Sequence, residues 1–194
     1  TLGKVLAGIH EKDGGRILID GREVHFRNPG EARAAGVSMV HQELAFAENL
    51  SIAENLCLGA LPNRFTFVSR KAMEERARKL LAGIETEIDV RRPMGELTVG
   101  EQQIVQIAAA VGEGARVIVF DEPTSSLSQG EAEHLYHLIG KLKARGGTCL
   151  YVSHRMPEIY KLCDDITVLR DGRHAVTKAT AELVEKVGGQ VAGF

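Results

Sequence analysis

The sequence lacks the patterns that define several protein classes. Its three cysteines, Cys57, Cys149 and Cys163, are widely spaced and form no C-x-x-C pair. An odd, scattered set argues for reduced core or surface thiols in a cytosolic protein rather than a disulfide framework. No apolar run approaches the roughly 20 residues that a membrane helix needs, and no signal-peptide pattern opens the chain. With 24 basic and 26 acidic residues the net charge is −2, so no global basic field points to a nucleic-acid partner. The most telling absence is the phosphate-binding string G-x-x-x-x-G-K-[ST]. Gly3-Lys4 is no substitute, because it has no preceding loop and no following hydroxyl and falls inside a helical pattern.

What is present suits a soluble globular domain: 194 residues, 44% hydrophobic and 26% charged, with 21 glycines for turns and close backbone approaches but only 5 prolines. Leu2, Val5, Leu6 and Ile9 recur at helical spacing, so the chain opens inside a helix and reads as cut, or as following a missing segment. Ile17-Leu18-Ile19 and Glu23-Val24-His25-Phe26 flank Asp20-Gly21 as a hairpin. Pro29-Gly30 reads as a turn before a short helix over 31–35, and Val37 to Val40 as a strand that runs into His41-Gln42-Glu43.

Residues 51–111 change character. Ser51 and Ser69 are placed to cap helices, the second with Met73, Ala77, Leu80, Leu81 and Ile84 on one face. A third helix is predicted from about Glu101 to Val111, with Ile104, Ile107 and Ala108 as its apolar side. This middle third is therefore expected to be a helical insertion, 51–111, between two parts of an α/β core, 1–50 and 112–194.

The core pattern resumes at Val117-Ile118-Val119-Phe120, a continuous apolar run of the kind buried parallel strands show. Ser128 and Glu131 make an S-x-x-E capping box, and the helix it opens turns Leu135, Leu138, Ile139 and Leu142 inward until Gly146-Gly147. Thr148 to Val152 is the next strand, and a short helix carries Ile159 and Leu162. Ile166 to Leu169 is a further strand before the Asp171-Gly172 turn, and a last helix spans Thr180 to Val187. Alternating strands and helices with tight turns imply an α/β sheet covered on its faces.

Four places in this pattern can carry chemistry. Asp121 and Glu122 follow a buried strand, where ligands of open α/β sheets bind. In an extended chain their side chains point to opposite sides, so one can meet a hydrated Mg²⁺ while the other acts as a base toward water. The same pair also fits a solvated strand end before a turn. His154 follows the next strand and can hydrogen-bond a phosphate oxygen or a water. Gln42 ends a third strand and has a carbonyl for a metal or water. Thr98 and Gly100 open a helix whose free N–H groups suit an anion or a simple N-cap.

With their order and spacing, these segments resemble the ATP-binding-cassette ATPases, and within them the first cassette of importers for ribose, galactose, xylose and related monosaccharides. Val40 to Leu44 with Leu50 to Asn55 resembles the glutamine loop and the start of the helical subdomain. Leu97 to Gln103 resembles the signature motif, Val117 to Glu122 the Walker B strand, Ser125 to Ser128 the D-loop, and Ser153-His154-Arg155 the switch histidine. The resemblance implies a P-loop NTPase-type sheet core with an inserted helical subdomain, N-terminally incomplete. It implies ATP and Mg²⁺, with Asp121 and Gln42 at the metal, Glu122 polarising the attacking water and His154 on the γ-phosphate. Thr98 and Gly100 would meet ATP held by an opposite cassette, and Ser126 would lie in the D-loop that links the two sites. Thr1 would directly follow the phosphate-loop serine.

The implied partners are a second cassette (in the same polypeptide or as a homodimer), a transmembrane permease subunit and, indirectly, a periplasmic sugar-binding protein, with no nucleic acid. The implied place is the cytoplasmic face of the bacterial inner membrane. Val99 and Glu101 depart from the commoner signature, and Glu101 brings a negative charge toward an incoming phosphate. The alternative reading is a catalytically inactive truncated cassette, or a fragment that only pairs with another protein. The 194 residues alone are expected to bind ATP poorly and hydrolyse it negligibly, because the phosphates lose their main cradle. A fluorescent-nucleotide titration checks this, and micromolar affinity would refute it.

Overall fold

The computed structural model describes residues 2–40, 46–58, 63–64, 67–112 and 114–186. The chain divides between Leu150 and Tyr151 into two compact units.

The first unit opens with helix α1, Leu2–Leu6. It lies against a central strand so closely that a Cβ on Gly3 would meet Val119 at 3.0 Å. Strands β1, Ile17–Ile19, and β2, Arg22–Val24, pair antiparallel with Ile19 opposite Arg22. Asp20 and Gly21 between them both have positive φ, 50° and 75°, as a two-residue hairpin turn requires. The second strand ends sooner than the sequence suggests. Phe26 leaves it and is buried with Ala32, Val37 and Val119, where Leu6, Ile19, Val24, Met39 and Leu150 pack around it.

Pro29-Gly30 is not a turn but the first turn of helix α2, Pro29–Ala34. Proline suits that position because its missing N–H would find no helical acceptor there. The Asn28 side chain caps the helix by accepting from the Glu31 N–H at 3.0 Å. Strand β3, Val37–Val40, and strand β6, Val117–Asp121, run parallel with Val37 opposite Val117 and Val40 opposite Phe120. With β7, Thr148–Val152, they form a sheet ordered β3-β6-β7. Val40, Val119 and Phe120 are fully buried, which explains the uninterrupted apolar run.

Between β3 and β6 come helices α3, Ile52–Cys57, α4, Arg70–Gly83, and α5, Val99–Gly112, with a small pairing of β4, Asn63–Arg64, and β5, Phe67–Val68. Both expected caps form: Ser51 closes a capping box with Glu54, and Ser69 accepts from the Ala72 N–H at 3.3 Å. Met73, Ala77, Leu81 and Ile84 are buried and Leu80 is half-buried, as the helical spacing predicts. Helix α5 packs on α3 and α4 and also on β3, so it joins the helical segment to the sheet. It begins at Val99, two residues before the predicted start. Helix α6, Gln129–Ala144, follows β6 and buries Leu135, Leu138, Ile139 and Leu142.

In the second unit, helix α7, Met156–Leu162, leads to the antiparallel pair β8, Asp165–Arg170, and β9, Arg173–Ala179, and then to helix α8, Thr180–Lys186. Val187, expected on the inner side of α8, lies outside the described residues. The sequence did not announce β9. Its first five residues are exposed, so it carries no alternation of buried and exposed positions.

Leu81 is 1% exposed and Leu18 is 55% exposed. Leu81→Ala is therefore expected to lower the unfolding free energy by about 2–5 kcal/mol, and Leu18→Ala by no more than about 0.5 kcal/mol. Urea titration of the two variants checks the contrast, and equal losses would contradict the burial.

Candidate functional site

The carboxyl end of β6 does not continue extended. Asp121 is the last strand residue and is half-buried, but Glu122 has φ 46°, in the left-handed region. That conformation costs a non-glycine residue roughly 1–2 kcal/mol, and it replaces the simple up-and-down alternation expected for the two carboxylates. A tight turn follows. The Glu122 carbonyl accepts from the Ser125 N–H at 3.2 Å, and the Thr124 carbonyl accepts from the Leu127 N–H at 3.2 Å. Pro123 and Thr124 are buried beneath the turn, while Ser125 and Ser126 are exposed on it. Asp121 thus ends the strand and Glu122 sits in a sparsely populated backbone conformation, of the kind concentrated at functional sites.

The second element is the start of α5. Thr98 and Glu101 form a reciprocal cap: the Glu101 carboxylate accepts from the Thr98 N–H at 2.8 Å, and the Thr98 hydroxyl accepts from the Glu101 N–H at 3.2 Å. Arg92 donates to the other Glu101 oxygen at 3.2 Å. The Glu101 charge is therefore turned back on its own helix and balanced by Arg92. The T-x-x-E spacing that produces this cap is legible in the sequence, just as it is at Ser128 and Glu131.

Glu131 links the start of α5 to the start of α6. Its Oε2 accepts from the Ser128 hydroxyl at 2.7 Å and the Ser128 N–H at 3.0 Å, while Oε1 accepts from the Gly100 N–H at 3.2 Å. The Ser128 hydroxyl and N–H, with smaller contributions from the Thr98 hydroxyl and the Gly100 N–H, hold its carboxyl down to about 2. A Cβ at Gly100 would lie 2.5 Å from Glu131 Oε1, so any larger residue here would displace the Glu131 carboxylate from this position. Sequence reasoning found Glu131 only as a cap for α6 and missed its reach to α5.

Thr1 and Gln42 lie outside the described residues. Thr98, Gly100, Asp121, Glu122 and Ser126 all belong to the first unit. Of these, the structure ties Thr98 and Gly100 to α6 through Glu131. His154 belongs to the second unit, where it is exposed, two residues past β7. Among the described residues, no group of three or more His, Cys, Asp or Glu side chains forms a ready-made metal site. A site with one carboxylate such as Asp121 still suits Mg²⁺, which usually keeps waters and takes its remaining oxygens from phosphates.

The family described as ABC transporter matches residues 1–125. The chain belongs to the ABC transporter family. The arabinose import ATP-binding protein AraG of Chromohalobacter salexigens is 45% identical over 183 residues, covering 94% of this chain and 37% of its own length. The ribose import ATP-binding protein RbsA 3 of Rubrobacter xylanophilus is 46% identical over 185 residues, covering 95% of this chain and 37% of its own. The chain thus spans 37% of the length of these curated relatives.

Among solved structures, a nucleotide-free ATP-binding cassette from an ABC transporter superposes with a TM-score of 0.81 at 22% identity, over 99% of this chain and 81% of that one. The cassette MJ1267 gives 0.81 at 24% identity, over 100% of this chain and 79% of its own. The fold is that of the ABC cassettes, a P-loop NTPase-type α/β architecture.

The low pKa of Glu131 has a stability consequence in this family member. A carboxyl held down to about 2 from 4.5 stabilises the folded state above about pH 4.5, and that contribution drains away as pH falls toward 2. The stability gap between the native protein and Glu131→Gln is therefore expected to be constant near neutral pH and to narrow below about pH 4.5. Urea titrations across this range check it, and a gap that widens in acid would contradict the hydrogen-bonding assigned to Glu131.

Proposed function

We propose that this chain is the ATP-binding and ATP-hydrolysing cassette of an importer for a simple sugar. The observation that carries the reading is likeness to two pentose import ATP-binding proteins at 45% and 46% identity over 94% and 95% of the chain. That span takes in the five motif-like segments in their order. In this reading the helical segment 51–111 is an insertion in a core made of 1–50 and 112–194.

The chemistry is phosphoryl transfer to water. Glu122 accepts a proton from the attacking water as its oxygen bonds to the γ-phosphorus and the bond to the leaving ADP oxygen breaks. Asp121 and Gln42 would hold Mg²⁺, which neutralises phosphate charge when bound. His154 contacts the γ-phosphate. Thr98 and Gly100 meet ATP of the opposite cassette, Ser126 connects the paired sites, and Thr1 is a further nucleotide-binding residue.

The partners in this reading are a second cassette, a membrane permease subunit and a periplasmic sugar-binding protein. Among the described residues no helix is long and apolar enough to cross a membrane. In this reading the permease holds the chain at the cytoplasmic face of the inner membrane.

The test is ATP turnover in the transporter polypeptide that carries these residues together with a phosphate loop. Glu122→Gln is expected to cut turnover by about 10²–10⁴-fold while ATP stays bound. Unchanged turnover would overturn the role of Glu122, and a polypeptide that neither binds nor hydrolyses ATP would overturn the functional reading.

A further inference from the structure

Four helices begin with an asparagine, serine or threonine followed three residues later by glutamate: Asn28 and Glu31, Ser51 and Glu54, Thr98 and Glu101, Ser128 and Glu131. In each, the cap side chain accepts from the glutamate N–H and the glutamate turns back toward the cap. Helix α7 breaks this rule. Its cap position is Arg155, which has no acceptor to offer and makes no side-chain cap bond. Glu158, in the same third position, is released from a capping box.

Its carboxylate gathers the side chains that lead into the helix instead. Oε2 accepts from the Tyr151 hydroxyl at 2.9 Å and the Ser153 hydroxyl at 3.2 Å, while Oε1 accepts from the Arg155 guanidinium at 2.8 Å. The Ser153 hydroxyl also accepts from the Arg155 N–H at 3.0 Å, so backbone as well as side chain is tied in. Glu158 is 5% exposed. A carboxylate withdrawn from water this far has to be met by donors, so these contacts fix the segment rather than decorate it.

The residues it holds are the two neighbours of His154 and the last-but-one residue of β7. His154 itself stays exposed. We propose that Glu158 is the positioning residue for His154: by anchoring Ser153 and Arg155 on one buried carboxylate, it sets the backbone from which the imidazole projects. The functional meaning of this rests on the proposed γ-phosphate contact of His154. The anchoring itself can be read without nucleotide.

The experiment is NMR of the chain with labelled histidine rings and backbone amides, the His154 ring being assigned by its loss in His154→Asn. In Glu158→Gln, which keeps the size and an oxygen to accept from the two hydroxyls but loses the ion pair, the His154 ring signals are expected to move and the Arg155 amide to exchange several-fold faster. In Glu158→Ala they are expected to reach the position of an unstructured peptide of residues 152–156, with exchange faster by at least about tenfold. His134 and His137 on α6 should stay in place throughout, as a control that the first unit is intact.

Unchanged His154 signals and Arg155 exchange in the folded Gln variant would overturn the proposal. So would unfolding of both variants, which would make Glu158 a structural residue only. Adding Mg²⁺ and ATP afterwards tests the other reading separately. Because the 194 residues alone are expected to bind ATP poorly, this titration is made in the polypeptide that also carries a phosphate loop, where a His154 ring that ignores nucleotide would refute the phosphate contact while leaving the positioning result as measured.

Discussion

A helix begins with N–H groups that have no partner inside it, and the first unit meets that constraint at two motifs with one carboxylate. Glu131 closes the start of α6 through Ser128 and reaches the start of α5 at Gly100. The two segments are 31 residues apart in sequence, with β6 and its tight turn between them. Because the shared acceptor is charged, each bond is stronger than a neutral one, and the carboxyl is held ionised far into acid. The glycine at position 100 leaves room for this close approach of the Glu131 carboxylate.

Helix α5 carries this coupling to the rest of the unit. It packs on α3, α4 and β3, so it joins the helical segment and the sheet to the α6 start that Glu131 closes. The parallel register of β3 with β6 brings the carboxyl ends of both strands level, with Val40 opposite Phe120. Beyond Phe120, backbone geometry takes over from side-chain pattern. The left-handed Glu122 and the buried Pro123 and Thr124 turn the chain toward α6 within a few residues.

Much of this was legible because the signals are local. The capping residues Ser51, Ser69 and Ser128 act within three positions of themselves, and the apolar faces of α4 and α6 repeat at the helical period. The motif order led to the family that the comparisons show. What escaped was either conformational or long-range. No side-chain pattern signals that Glu122 has positive φ, and Pro29 serves a turn or a helix start equally well until Asn28 is seen to cap. The Gly100 to Glu131 bond joins elements that only the fold brings together. The roles of Asp121, Glu122, Thr98, Gly100, Ser126 and His154 still rest on the family resemblance rather than on geometry, and Thr1 and Gln42 lie outside the described residues.

Glu131 and Glu158 occupy the same position, the third residue of a helix that follows a strand and a short turn. Their difference shows how the cap residue decides what such a glutamate does. Ser128 satisfies Glu131 from within the box and leaves one oxygen to reach Gly100. Arg155 cannot form a box, so both oxygens of Glu158 turn to the segment before the helix, and burial raises the cost of leaving any of them unmet. In one unit the carboxylate couples two helices, while in the other it stiffens the chain on both sides of a histidine. A serine at position 155 would offer the box that Glu158 now lacks, and would draw the carboxylate back toward the helix start and away from the side chains flanking His154.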